Sequence, residues 1–319
     1  MKRIIAAVVP ELTGPQQDRI RAAAEARGFE IRFLNTPAED PAYLAEAEII
    51  FGHLPEIAKT SSGLKWLCTP FAGVEQFAAE NAFANPEALL TNSSGAYGVS
   101  IAEHAMMLLL DILRRQPEYS RIAAAHEWRR NLAIRSVRGS RITLLGTGDI
   151  GQETAGRLKA FLPASLTGVN WNGRNPGGFD RILTGEVWET ALPETDVLII
   201  SLPGTRETFH MVGEKQMSLL PDGAVIINVG RGSVVDQEAL IHELKNGRLF
   251  AGLDVFEQEP LRQDDPVWEV PNLLITPHTA GNLMLPYTVE KIAEQFLEDL
   301  DDYCDGRPLK YLVDRTKGY

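Results

Sequence analysis

The sequence predicts an α/β chain of two doubly wound parallel sheets, one inserted into the other. Three observations lead there. Short apolar runs alternate with helical patterns from residue 3 to beyond residue 270, the pattern of parallel strands joined by crossover helices. A G-x-G-x-x-G spacing (Gly146, Gly148, Gly151) lies deep inside the 319 residues, not near their start. The stretch from 283 to 319 is too short to form a core of its own.

The elements follow in chain order. "RIIAAVV" (3–9) reads as a strand, and "GPQQDRIRAAAEARG" (14–28) as a helix with Pro15 near its start and Gly28 past its end. "FEIRFLN" (29–35), "AEIIFG" (47–52), "LKWLCTP" (64–70) and "EALLTNSS" (87–94) are further strands. "SIAEHAMMLLLDILRR" is apolar around most of its circumference, which predicts a buried helix, within one domain or between domains or subunits. Ser100 and Glu103 stand at the spacing of a capping box. The glycine spacing comes between strand "RITLLG" and helix "GQETAGRLKAFL". Five more strands follow, "SLTGVNW" (165–171), "TDVLIISLP" (195–203), "GAVIINVG" (223–230), "LFAGLDVF" (249–256) and "NLLITPH" (272–278). The helix in "DQEALIHELKNG" has Asp236 as its N-cap and Gly247 as its stop. Six strands complete one domain at 100–282, and 1–99 joins 283–319 to make the other. The chain then crosses between domains near Gly98–Ser100 and near Gly281–Leu285, which predicts a hinge with a cleft beside it.

Composition narrows the function classes. With 31 basic and 43 acidic residues the formal net charge is -12, which repels nucleic acid and anionic membranes. Any anionic substrate therefore requires a local cationic pocket. The apolar run in "MKRIIAAVVP" is too short for a signal-peptide core or a membrane span, so a cytoplasmic location is expected. Cys68 and Cys304 do not suggest a disulfide framework and read as buried or inert thiols. His, Cys and carboxylates do not cluster along the sequence at metal-ligand spacing, so no metal is expected.

In a glycine loop of this kind each glycine has a task. Gly146 allows the tight turn, Gly148 lets backbone approach a pyrophosphate, and Gly151 lets helix and strand pack closely. Asp149 and Ile150 lie between them, at a helix start whose free amides favour a phosphate anion. Dinucleotide binding on a Rossmann sheet is the reading; a methyltransferase-type loop or a structural turn is the rival. The acid expected about 20 residues further on, which bonds the ribose hydroxyls, is replaced by Asn170, and the next carboxylate is Asp180. That absence removes a repulsion against a 2′-phosphate. Arg174, with Asn170 and Asn172 as donors, is placed to hold one, so NADP(H) is expected to be preferred, or at least accepted, beside NAD(H).

Ligands of doubly wound sheets bind beyond the carboxyl ends of the strands. Arg231 follows "AVIINVG", Glu257 and Glu259 follow "LFAGLDVF", and His278 follows "NLLITP". Separately these are an ordinary surface arginine, a solvated turn and a loop histidine. Together they suit 2-keto acid reduction. Arginine binds the carboxylate and polarises the carbonyl. Histidine exchanges a proton with the alkoxide, a carboxylate on its far nitrogen orients it, and a nicotinamide supplies hydride.

"LLGTGDIG", "INVGRGSVVDQEAL", "AGLDVFEQEPL" and "LLITPHTAG" resemble the D-isomer-specific 2-hydroxyacid dehydrogenases, and the resemblance covers nearly the whole chain. It implies a Rossmann domain inserted into a flavodoxin-like α/β substrate domain, and a homodimer with the helix at 100–115 as a candidate interface element. It makes Arg231 the substrate binder, His278 the acid/base and Glu259, rather than Glu257, its partner. It sets Asp254 by the nicotinamide carboxamide, with Val229, Gly230 and Gly281 lining that pocket, and Leu202 and Pro203 beside the cofactor. It gives the substrate carboxylate to the backbone of Gly73 and Val74, with Leu54 as a side wall. Tyr97, Gly98 and Asn170 depart from the common pattern. Length and the "GVNWNGRNP" segment are most like the short glyoxylate/hydroxypyruvate reductase branch. Phosphoglycerate dehydrogenase-like activity, or a non-catalytic nucleotide-sensing role on the same fold, are the alternatives. His104, His126, His210 and His242 read as structural, and His53 as an edge of the substrate cleft.

Overall fold

The first apolar runs form five parallel strands, β1 (Arg3–Val8), β2 (Phe29–Phe33), β3 (Ile49–Gly52), β4 (Trp66–Cys68) and β5 (Leu89–Thr91), in the order β2-β1-β3-β4-β5. That order is the flavodoxin-like one, with its switch point between β1 and β3. The helices α1 (Gly14–Ala26), α2 (Pro41–Glu46) and α3 (Pro55–Thr60) each carry a proline in the first turn, where a missing N–H costs nothing. Gly28 ends α1 at φ +79°, a conformation glycine adopts without strain. Strands stop short of their apolar runs where chemistry forbids pairing; β4 ends at Cys68, two residues before Pro70, which has no N–H to give.

The computed structural model describes residues 3–315 apart from 78 and 80. It divides into two units, Met1–Tyr97 with Asn282–Tyr319, and Gly98–Gly281.

The second unit opens with α4 (Gly98–Arg114) and α5 (Gln116–Ala124). It then alternates β6 (Arg141–Leu145), α6 (Asp149–Lys159), β7 (Ser165–Val169), β8 (Arg181–Leu183), β9 (Val197–Ile200), α7 (Glu214–Leu219), β10 (Val225–Asn228), α8 (Gln237–Lys245), β11 (Phe250–Leu253) and β12 (Leu273–Ile275). All seven strands are parallel, in the order β12-β11-β10-β9-β6-β7-β8. The sequence reading had six; β8 is a three-residue edge strand with its first residue exposed, too short to show a periodicity. α4 is a core helix of this unit, its Ala105, Leu108, Leu109 and Ile112 packed with Ile142, Leu144, Val225 and Ile227. The expected capping box is not formed. The helix begins at Gly98, so Ser100 lies inside it and donates instead to the Ala280 carbonyl at 2.7 Å, while Glu103 pairs with Arg157 at 3.4 Å.

The chain then returns to the first unit as α9 (Pro286–Cys304). Phe296 stacks on Phe51 at 4.3 Å and on Trp66 at 5.3 Å, and all three rings are fully buried. Each such ring contributes about 1.5–3 kcal/mol by leaving water. Cys68 and Cys304 are free, and burial pushes the Cys68 thiol up to about 12. No helix among the described residues is long and apolar enough to cross a membrane.

Asp299, on α9, is 1% exposed and accepts the Lys310 amide at 2.7 Å. Burial raises its carboxyl to about 6. A carboxyl raised on folding binds more protons in the native state, so its contribution to stability is full below about pH 4 and is lost as pH rises through 6. Asp299→Asn should therefore raise unfolding stability at pH 8 by about 1–2 kcal/mol and leave it unchanged at pH 3.5. Urea melts at the two pH values measure this; equal effects at both would contradict it.

Candidate active site

The glycine loop sits at the switch point of the second sheet, between β6 and β9. Gly146 has φ +103°, and an added Cβ would lie 2.8 Å from Ser201 Oγ. A side chain at Gly151 would run into the Gly146 carbonyl. Gly148 caps α6 and faces open space, so its backbone is accessible. The first turn of α6 has amides without helical partners, and the loop fits a pyrophosphate. Asp149, in that turn, lies against Gly98 at the start of α4, and Ile150 packs on the core beneath.

Beyond β7 a cavity of about 230 Å³ is bounded by Val169, Asn170, Trp171, Trp188, Leu202 and Met211. Its size suits a planar ring; Trp188 and Met211 belong to no motif, and Trp171, though inside the "GVNWNGRNP" segment, carried no signal of a cavity wall. The loop from 170 to 174 corrects one expectation. Asn170 Nδ2 donates to Thr147 Oγ1 at 2.7 Å and to the Arg174 carbonyl at 2.9 Å, so both its hydrogens are used. Its Oδ1 takes the Gly173 amide, and Asn172 Oδ1 takes the Arg174 amide. These asparagines shape the turn as Asx caps; Asn170 has no donor left for a phosphate. Arg174 is exposed, and among the described residues its guanidinium has no side-chain partner.

After β9, the Pro203 carbonyl accepts the Thr208 hydroxyl at 2.6 Å, which tightens the loop. Gly230 is wedged against the backbone of Leu202, and Val229 extends the ladder to the Ile200 carbonyl. Asn228, 1% exposed, accepts the Gly230 amide and donates to the Arg231 carbonyl at 2.9 Å. The turn bearing Arg231 is thus fixed from below, and the guanidinium rests on the Gly230 carbonyl at 2.9 Å.

The other two groups end the next strands. His278 Nδ1 meets Glu259 Oε2 at 2.6 Å, and Glu259 Oε1 accepts the Phe256 amide at 2.8 Å. Arg231 and His278 follow β10 and β12, with β11 between, two spacings or about 10 Å apart across the sheet. The residues alone left Glu257 and Glu259 both open. Glu257 goes elsewhere: its Oε1 takes His210 Nε2 and the Gln237 amide, both at 2.9 Å.

A buried carboxylate supports the His278 turn. Asp254, 1% exposed, accepts the Thr276 hydroxyl at 2.6 Å and the amides of Thr279 and Ala280 at 2.9 and 3.0 Å. Its own carbonyl takes the His278 amide at 2.9 Å. His104 Nε2, from α4, meets Thr276 Oγ1 at 2.8 Å. With these bonds in place His278 is held at φ +52°, a region costly for a residue with a Cβ. Gly281 closes the turn at the unit boundary.

Sequence spacing gave no hint of a metal-ligating cluster, yet His210, Asp236 and Glu257 lie together. Their atoms have other duties. Asp236 Oδ1 caps α8 through the Ala239 amide, and Glu257 holds Gln237.

In the first unit, Leu54 and Val74 are buried in its apolar core, so Leu54 packs inward where a pocket wall had been expected. The loop from 70 to 74 is tied down by Tyr97 Oη on the Pro70 carbonyl, Asn92 on Ala72 and Ser93 on Phe71. Among the described residues the amides of Gly73 and Val74 have no assigned acceptor. His53 bonds Thr69 at 3.0 Å and stands edge-on to Phe71 and Phe77.

The family model "D-isomer specific 2-hydroxyacid dehydrogenase, NAD binding domain" matches residues 106–280. The chain is 33% identical to glyoxylate/hydroxypyruvate reductase B of Yersinia pestis (strain Pestoides F) over 258 residues, 76% of this chain and 78% of that one. It superposes on a D-isomer specific 2-hydroxyacid dehydrogenase family protein from Aeromonas salmonicida with a TM-score of 0.87 at 29% identity, covering 99% and 100% of the two chains. It also superposes on an NADPH-dependent glyoxylate/hydroxypyruvate reductase from Sinorhizobium meliloti, in complex with NADP and sulfate, with a TM-score of 0.82 at 25% identity and 100% coverage of both. The chain belongs to the D-isomer specific 2-hydroxyacid dehydrogenases. It is an NAD(P)-dependent oxidoreductase that interconverts 2-keto and 2-hydroxy acids.

Asp254→Asn would turn one acceptor oxygen into a donor facing a donor. It should cost about 1–3 kcal/mol and expose the Thr279 and Ala280 amides to hydrogen exchange. Unchanged protection of both amides would remove Asp254 as the anchor of the turn.

Proposed function

We propose that this protein reduces a 2-keto acid to the D-2-hydroxy acid in the manner of a glyoxylate/hydroxypyruvate reductase, with NADPH preferred over NADH. The observation that carries the reading is the 2.6 Å contact of His278 Nδ1 with Glu259 Oε2, formed at the ends of the two strands next to β10, which carries Arg231. A dinucleotide held by the Gly146–Gly151 loop and the first turn of α6 would supply the hydride. Arg231 pairs with the substrate carboxylate and draws charge onto the C2 carbonyl oxygen. His278, with Nδ1 committed to Glu259, donates its proton from Nε2 to the forming alkoxide. Glu259, anchored by the Phe256 amide, keeps the ring in one orientation and balances the imidazolium charge. In this reading the amides of Gly73 and Val74 take the substrate carboxylate, and the reverse reaction uses the same groups as base and clamp.

NADPH preference is supported by the exposed Arg174 and by the lack of any carboxylate between Val169 and Asp180. A glutamate at the cavity, Glu189, is paired with Lys215 at 2.7 Å, and Lys215 and Gln216 hold its carboxyl below the usual range. The Sinorhizobium meliloti relative was solved with NADP. A cytoplasmic homodimer completes the reading. The homodimer is supported by three exposed apolar side chains of the second unit, Trp128 at 91%, Ile134 and Met107, which a second copy would cover. The net charge of -12 supports the absence of nucleic-acid and membrane partners.

His278→Ala should lower kcat by about two to four orders of magnitude and leave the Kd for NADPH nearly unchanged. Arg231→Ala should raise KM for glyoxylate and hydroxypyruvate and lower kcat as well. Near-normal turnover in either variant, measured by nicotinamide absorbance, would remove that residue from the mechanism. Arg174→Ala should reduce the NADPH-over-NADH ratio of kcat/KM by about tenfold; an unchanged ratio rejects its phosphate role.

A further inference from the structure

A cavity of about 420 Å³ opens directly beside the His278–Glu259 pair, which forms part of its lining. The rest is apolar: Phe256, Pro260, Leu261, Trp268, Ile275 and Pro277. Its size falls within the range of small-molecule sites, which bury apolar groups and carry few polar ones. The indole of Trp268 is fixed by its N–H on the Arg262 carbonyl at 2.8 Å, yet the ring remains 46% exposed. Arg262 does not make the cavity cationic, because Asp264 holds its guanidinium through two contacts of 3.0 and 2.7 Å. The one carboxylate on the lining, Glu259, has both oxygens engaged, by His278 and by the Phe256 amide.

We infer that this cavity receives the side chain of the 2-keto acid and selects an apolar group, branched or aromatic. The inference rests on the keto-acid reading of the dyad and names the substrate class for that site. Glyoxylate and hydroxypyruvate engage the same dyad but leave this space empty, so they are turned over less well than a 2-keto acid that fills it. A substrate with a second carboxylate or a phosphate would bring its anion beside Glu259, and the one cationic group of the lining, the His278 imidazolium, is already paired with that glutamate. A phenyl or isobutyl group would leave water for a wall of two rings and two branched side chains, at no polar cost. The phosphoglycerate-like alternative is disfavoured on the same ground.

The test is kcat/KM with NADPH for phenylpyruvate, 2-ketoisocaproate, glyoxylate and oxaloacetate, on the wild type, Trp268→Ala and Leu261→Arg. The wild type should favour phenylpyruvate and 2-ketoisocaproate over glyoxylate by at least about tenfold. Trp268→Ala should lower the phenylpyruvate-to-glyoxylate ratio by at least about tenfold. Leu261→Arg should do the same and raise the oxaloacetate-to-phenylpyruvate ratio. Two substitutions, at residues not fully buried, keep the test open if one variant does not fold. If glyoxylate is used at least as well as phenylpyruvate and neither folded variant moves the ratio, the inference falls while the reductase reading stands. If the ratio stays fixed and Trp268→Ala instead halves the sedimenting mass, the cavity is a contact between copies and the inference falls equally. No turnover with any keto acid overturns the reductase reading and this one with it.

Discussion

Parallel strands must be joined by crossovers that return the chain to the same end of the sheet, so every strand delivers its following residue to one edge. The site of this protein is a direct product of that constraint. Arg231, Glu259 and His278 are separated by up to 47 positions in sequence, yet each follows one of three adjacent strands, β10, β11 and β12. The glycine loop follows β6 on the same edge, at the switch point of the sheet. No long-range side-chain contact had to evolve to gather these groups. Local turns needed only to aim them.

Aiming is done by buried polar side chains one step below the reacting groups. Asn228 fixes the Arg231 turn and Asp254 fixes the His278 turn, each 1% exposed and each bonded to successive backbone amides or carbonyls. Nearer the surface, exposed Glu257 fastens the loop carrying Glu259 to the start of α8 through the Gln237 amide, and His210 bonds the same oxygen. Buried polar groups with all their bonds made are stiff, and stiffness is what a proton donor on an exposed turn requires.

Much of this was legible in the residues. Strand ends gave Arg231, His278 and the pair Glu257 and Glu259, because each follows an apolar run closely, although β10, β11 and β12 stop two or three residues before their runs do. The choice between the two glutamates was not legible from pattern. It depends on the direction of a turn two residues long, and only the resemblance to known dehydrogenases pointed to Glu259, where the 2.6 Å contact lies. Asn170 was read as a phosphate donor from its place in line. Its amide is spent on the Thr147 hydroxyl and the Arg174 carbonyl instead, groups of its own turn and of the glycine loop. β8 escaped notice because three residues at a sheet edge carry too little apolar pattern. Ser100 and Glu103 matched a cap that α4 does not use, because Gly98 and Val99 continue the helix backwards. His104 was read as structural, but its bond to Thr276 was not legible, because their meeting is a fact of packing between α4 and the end of β12.

The aromatic stack of Phe296 on Phe51 and Trp66 has a consequence for synthesis. Both sheet residues leave the ribosome early, and the helix that covers them arrives only after the entire second unit has been made. At about 5–20 residues per second, the nascent first sheet waits roughly 10–40 s with a greasy face uncovered. The unit made of one continuous segment has no such delay and can close while translation proceeds. The unfinished sheet is therefore the stage at which this chain most needs a chaperone, and the last helix is the step that releases it.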